Sequence, residues 1–145
     1  MHIRKTFTIV GLLLAFAIIL PLLRASERDQ AIQVTFSQAV QIPGRTLPAG
    51  AYWFVLGNEP NRDLVQVFNE DRSELLGRLI TIPTERSSST DHLTFTFAYQ
   101  AAGQPEAVVS WFYPGRTLGH EFVYPAPQRT EIAQSQHVTV VASGD

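Results

Sequence analysis

Residues 92–99 read HLTFTFAY, and this short stretch decides the fold class because its apolar and polar residues alternate. One face of the stretch would carry four large apolar side chains, those of Leu93, Phe95, Phe97 and Tyr99. The stretch AIQVTFS at residues 31–37 alternates in the same way. A period of two is typical of a half-buried β-strand, so both stretches are predicted to be strands that bury one face.

Five further stretches are apolar enough, or alternate clearly enough, to predict more strands. They are AYWFVL (51–56), DLVQVFN (63–69), ELLGRLITIP (74–83), AVVSWFY (107–113) and GHEFVYP (119–125). Turn-forming residues separate them. Seven or eight short strands at this spacing predict an all-β fold, either a single antiparallel β-sandwich or a small barrel. Strand pairing depends on long-range contacts, so both architectures remain open.

The pentapeptide PGRTL occurs twice, at residues 43–47 and 114–118. Proline suits the second position of a type II turn, and glycine supplies the positive φ that the third position requires. The residues that flank the two copies differ, which favours turn chemistry used twice over an internal duplication. A binding role for Arg45 and Arg116, one at each expected loop tip, is the alternative.

The segment after Tyr124 is polar at first and then rich in valine. It predicts one short helix that begins near Pro127, followed by HVTVVA (137–142) as a last edge strand or a disordered tail. The predicted organisation is therefore a signal peptide or membrane anchor at residues 1–25, a β-domain at 26–125 and a C-terminal tail at 126–145.

The N-terminal segment has the pattern of an export signal. Arg4 and Lys5 precede an apolar stretch at residues 6–23, which is apolar on every face and is predicted to be a helix. Pro21 and the small residue Ala25 favour cleavage before Ser26, while a length of 18 residues also allows an uncleaved anchor. The protein is expected to be periplasmic or extracellular, and possible anchoring in the inner membrane is the alternative.

Composition excludes several functions. Without residues 1–25 the chain keeps 8 basic residues, all of them arginine, against 13 acidic ones, a net charge of about −5. Such a domain has no basic footprint for nucleic acid or for anionic lipid. Membrane contact is therefore expected only through residues 6–23, if that segment is not cleaved. The chain contains no cysteine, which excludes disulfides, a lipidated N-terminal cysteine and thiolate metal sites.

Catalytic motifs are missing from the sequence. It contains neither G-x-S-x-G nor H-E-x-x-H, and its histidines lack the spacing of metal ligands. His120 and Glu121 are neighbours on an expected strand, so their side chains point to opposite faces. We therefore predict no catalytic residue, metal or cofactor. The alternative is a hydrolase that uses His120 with a carboxylate from another strand.

The densest aromatic cluster surrounds the second PGRTL. Aromatic side chains with a polar group can stack on sugars or ligand rings, but they also supply much of a protein core. The candidate binding residues are Trp111, Tyr113, Arg116, His120 and Tyr124. If these side chains form a binding face, the expected partner is an envelope protein, a glycan or a lipid. An aromatic core is the favoured interpretation, because a domain without cysteine needs the surface that such side chains bury.

Two short motifs, P-A-G-x-Y at residues 48–52 and E-F-V-Y-P at residues 121–125, carry a resemblance. With them, the chain from Val34 to Pro125 resembles a family of small exported bacterial proteins of unknown function. The resemblance implies an exported β-domain and no activity, since its motifs are features of turns and core. The function predicted is that of an exported binding or structural module of the cell envelope.

Overall fold

A computed structural model describes residues 17–18, 31–57 and 63–141, which form eleven strands and one helix. The strands are β1 (Ala17–Ile18), β2 (Ala31–Phe36), β3 (Val40–Ile42), β4 (Arg45–Leu47), β5 (Gly50–Leu56), β6 (Leu64–Asn69), β7 (Leu75–Glu85), β8 (Thr94–Ala98), β9 (Glu106–Phe112), β10 (Leu118–Phe122) and β11 (His137–Val141). The helix is α1 (Ala126–Gln134). The fold is mostly β, which confirms the predicted class.

The strands form one open sheet. Its order is β1, β2, β5, β6, β7, β10, β9, β3 and β4, while β8 lies beside β9 and carries β11. Every pair is antiparallel except β3 with β9, which is parallel. The sheet is therefore mixed and not wholly antiparallel as predicted, because β3 and β9 run in the same direction. The described strands also outnumber the seven or eight predicted. Part of the excess arises because the first PGRTL turn joins two strands of only three residues each, β3 and β4.

Strand β7 connects two halves of the sheet. Its first part pairs with β6, where Leu64 lies opposite Ile80, and its second part pairs with β10, where Leu118 lies opposite Glu85. The sheet then folds over on itself. As a result, Phe36 of β2 contacts Phe95 and Phe97 of β8, at ring-centroid distances of 6.4 Å and 6.2 Å. Strands that are far apart in the sheet order are thus layered on each other.

Aromatic rings fill the space between these layers. Phe54 lies at their centre and contacts Phe36, Phe95, Trp111 and Phe122 at centroid distances of 6.1–6.3 Å. Each large ring buries roughly 150–250 Å² of surface. A domain without disulfides relies on such burial for its stability.

Both PGRTL turns have the predicted backbone. The φ angle is 78° at Gly44 and 72° at Gly115, in the region that glycine tolerates best. In the second turn, the N–H of Arg116 donates to the carbonyl oxygen of Tyr113 at 3.2 Å, which closes the turn. The predicted turn backbone is therefore present at both sites.

The C-terminal segment belongs to the sheet as far as residue 141. Helix α1 has a proline in its first turn and buries Ile132. β11 then pairs with β8 along its full length, with Val138 opposite Phe97 and Val140 opposite Phe95. The predicted short helix and edge strand are both present, and the disordered tail is not found over these residues.

Little of the N-terminal apolar segment is described. Ala17 and Ile18 form β1, opposite Phe36 and Thr35 of β2, so these two residues are strand rather than the predicted helix. The rest of the predicted signal or anchor lies outside the described residues. In the part of the chain that the structure does describe, no helix has the length and apolar character needed to cross a membrane.

Candidate functional site

Two of the five candidate binding residues lie deep in the core. Trp111 is 1% exposed and Tyr124 is 3% exposed. The Trp111 ring packs against Phe122 at 5.2 Å and against Phe95 at 6.3 Å. Neither residue can present a surface to a partner in this conformation, so their placement favours the aromatic-core interpretation.

His120 and Tyr113 are half-buried beside Trp111. The His120 ring lies 5.0 Å from the Trp111 ring and 6.0 Å from the Tyr113 ring, and burial raises the pKa of Tyr113 to about 12. His120 pairs with Trp111 and Glu121 with Ser110, so the side chains of His120 and Glu121 point to opposite faces as expected. Among the described residues, no group of three or more His, Asp or Glu side chains could hold a metal ion. The hydrolase alternative stays a prediction.

Arg116 is exposed on the second PGRTL turn, and Arg86 holds that turn in place. The Arg86 side chain donates from Nε to the carbonyl oxygen of Arg116 and from Nη1 to Oγ1 of Thr94, each at 2.9 Å. Its guanidinium also lies 4.6 Å from the centre of the Phe112 ring. Arg86 therefore positions the turn that carries Arg116, a role that nothing local in the sequence indicates.

The hydroxyl of Tyr124 fills a gap in the hydrogen bonding of β9. On one side β9 pairs with β10 at Ser110 and Trp111 and with β3 at Glu106 and Ala107, which leaves Val108 and Val109 between them. The Tyr124 hydroxyl lies 2.6 Å from the carbonyl oxygen of Val108 and 3.0 Å from that of Gln41. Burial raises the pKa of Tyr124 far above the usual 10.0. Its role in this position is to stabilise the fold.

Tyr124→Phe should lower the free energy of unfolding. It should also make that free energy fall less steeply as the pH rises above 10. At pH 7 the loss is expected to be about 1–3 kcal/mol, because the buried carbonyl oxygen of Val108 loses its donor. A tyrosine whose pKa is raised on folding contributes stability that is fully present below about pH 10 and is lost as pH rises further, by up to about 1.4 kcal/mol per pH unit. Urea unfolding from pH 7 to pH 11 should show a shallower decline above pH 10 for the variant.

Tyr99→Phe is the matched control at pH 7. The Tyr99 hydroxyl is buried and has no hydrogen-bond partner among the described residues, so its removal should cost little. Equal losses for the two variants at pH 7 would contradict the structural role of the Tyr124 hydroxyl.

The first PGRTL turn lies over β7 between two shallow grooves. Arg45 fixes it there, because its Nη1 donates to the carbonyl oxygen of Leu76 at 2.9 Å. One groove, of about 370 Å³, is lined by Arg45, Pro48, Asn69 and Leu76 among others. The other, of about 440 Å³, we call the arginine groove, and its principal lining residues are Pro43, Gly44, Arg78, Ile80, Val123 and Arg129.

The arginine groove combines positive charge with exposed apolar surface. Ile80, which lines the groove, is 63% exposed. Ile82 follows it on the same face of β7, outside the lining, and is 49% exposed. Arg78 and Arg129 are both exposed, and Nε of Arg129 donates to the carbonyl oxygen of Tyr124 at 3.2 Å. This surface was missed in the sequence, since Arg78 and Arg129 come from distant parts of the chain.

Comparison with protein-family models, curated proteins and solved structures gave no match to this chain. The class that the fold and the site define is thus an all-β domain with an exposed cationic and apolar groove. The resemblance to the family of small exported proteins stays a prediction.

Proposed function

We propose that the protein is an exported module of the cell envelope that either binds a partner or has a structural role, and that it catalyses no reaction. We further propose that its sheet, which is open and layered on itself, is a β-sandwich rather than a barrel. The contact of Phe36 with Phe95 and Phe97 between the layers supports that architecture.

The observation that carries the binding proposal is the arginine groove. Arg78 and Arg129 can donate in pairs to a carboxylate or phosphate, and Ile80 and Val123 offer apolar surface beside them. The exposed side chain of Ile82 adds apolar surface next to the groove. The groove therefore suits a ligand whose anionic group lies next to an apolar part, such as an acidic glycan or a lipid headgroup.

The residues predicted from the sequence take a smaller part in this proposal. Trp111 and Tyr124 support the fold from inside, while Tyr113 and His120 are half-buried. Arg116 is exposed and lies on the second turn, separate from the residues that line the arginine groove. It is therefore a suitable control.

A thermal-shift panel tests the proposal on protein purified as the expressing cell processes it. The panel contains acidic glycans, peptidoglycan fragments and vesicles of anionic or neutral lipid. A ligand at a hundred times its dissociation constant should add about 2.7 kcal/mol, which corresponds to several degrees. Arg78→Ala and Arg129→Ala should each reduce that shift, and Arg116→Ala should leave it unchanged.

Two results would count against the proposed site. A shift that survives both groove substitutions would place the ligand elsewhere on the domain. No shift with any member of the panel would oppose ligand binding and leave only the structural role.

A further inference from the structure

Among the described strands, the edge strands β4 and β11 differ in how well they are protected against pairing with another chain. β4 is short, with three residues, and it carries Arg45, whose side chain is bound to β7. β11 has five residues, HVTVV, with neither proline nor Asp, Glu, Lys or Arg. Short length and charge are the usual protections of an edge strand. Strand β11 has neither.

The hydrogen bonds of β11 show which backbone groups point outward. The N–H of Tyr99 donates to the carbonyl oxygen of Gln136 at 2.9 Å, and bonded pairs alternate along an antiparallel ladder. The hydroxyls of Thr96 and Thr139 are hydrogen-bonded to each other at 3.2 Å. Such close side chains are expected where two opposite residues exchange no backbone hydrogen bonds. The N–H and C=O groups of His137, Thr139 and Val141 therefore point away from β8.

We infer that β11 is a dimerisation edge, at which a second copy of this chain adds its own β11 in antiparallel orientation. The outward N–H and C=O groups of one β11 can form hydrogen bonds only with the outward groups of the other β11. The register that pairs the most residues in this way places Thr139 opposite Thr139 of the second copy. In this register, His137 of each copy lies opposite Val141 of the other copy. This register forms about six backbone hydrogen bonds and joins two sheets into one.

The side chains of β11 are compatible with that register. Val138 and Val140 are half-buried and would lie opposite each other, and Thr139 would meet another threonine. The neighbouring strand β8, with sequence TFTFA, is uncharged as well, so no like charges meet at the centre of the interface. The dimer edge is separate from the arginine groove, so this inference does not depend on the proposed ligand.

Thr139 gives a direct test, because its exposed side chain would lie beside its own copy. Sedimentation velocity from roughly 1 µM to roughly 300 µM should show a concentration-dependent dimer, since a short strand interface is small and of modest affinity. Thr139→Lys and Thr139→Glu should each weaken dimerisation at least tenfold, because like charges meet across the interface. A 1:1 mixture of the two variants should restore the dimer.

Thr46→Lys, on the exposed edge strand β4, is the control and should leave dimerisation unchanged. Circular dichroism of each variant checks that the fold is intact. The inference is overturned if the wild type stays monomeric throughout, if Thr139→Lys associates as strongly as the wild type, or if the mixed variants remain monomeric.

Discussion

Gly119→Ala should destabilise the protein by about 3 kcal/mol or more, near or beyond the upper end of ordinary overpacking. A Cβ at this buried position would lie 2.6 Å from Cδ1 and 2.8 Å from Cε1 of Phe112, and it would also press on the carbonyl oxygen of Trp111. That oxygen cannot turn aside, because Trp111 is paired with His120 in the same ladder. Relief requires β9 and β10 to separate.

Gly77→Ala is the matched control, since it adds the same methyl group to a strand. The nearest atom to its Cβ would be Cδ2 of Leu79 at 3.7 Å, an ordinary contact. We expect stability to stay within about 0.5 kcal/mol or to rise slightly, because alanine loses less backbone entropy on folding. The measurement is chemical unfolding of both variants. Similar decreases in the free energy of unfolding would show that crowding around the Cβ does not explain the effect of Gly119→Ala.

Trp111→Ala is expected to cost about 3–5 kcal/mol, the usual range when a buried tryptophan is removed. Its ring contacts those of Phe54, Phe95, His120 and Phe122, and the cavity left behind would be lined by these aromatic side chains. The loss should appear as a lower unfolding midpoint whether or not a ligand is present.

Trp53→Ala provides the comparison. Trp53 is half-buried, its Nε1 donates to the carbonyl oxygen of Glu70 at 2.8 Å, and Arg72 lies 4.0 Å from its ring. We expect a cost of about 1–2 kcal/mol, from one hydrogen bond and one cation–π contact. If Trp111→Ala instead kept wild-type stability and lost only a ligand-induced shift, Trp111 would be a binding residue and the core interpretation would be wrong.

Local sequence pattern predicted the elements whose causes are local. Alternation in HLTFTFAY and AIQVTFS gave β8 and β2, and the Pro-Gly pairs gave turns with positive φ at Gly44 and Gly115. The parallel pairing of β3 with β9 had no such signal, because it joins residues about 40 and 106 in the chain. Long-range pairing is the information that a local pattern does not contain.

The candidate site was less predictable for the same reason. The sequence favoured an aromatic core over an aromatic binding face, but it could not show which rings are buried. That depends on how β2 and β8 are layered. Arg86 and Arg78 look alike in the sequence. The fold binds Arg86 to the second turn and leaves Arg78 exposed in a groove. Whether an arginine has a structural role or is available to bind a ligand therefore depends on the strands that surround it in the fold.

The shared strand β7 also determines how the domain folds. Because one end pairs with β6 and the other with β10, neither half of the sheet can complete its hydrogen bonds before β7 is in place. Unfolding should therefore be a single cooperative transition, with the slowest amide exchange near the middle of β7. Pairings between distant residues, such as β3 with β9, raise the contact order, so refolding should take milliseconds to seconds.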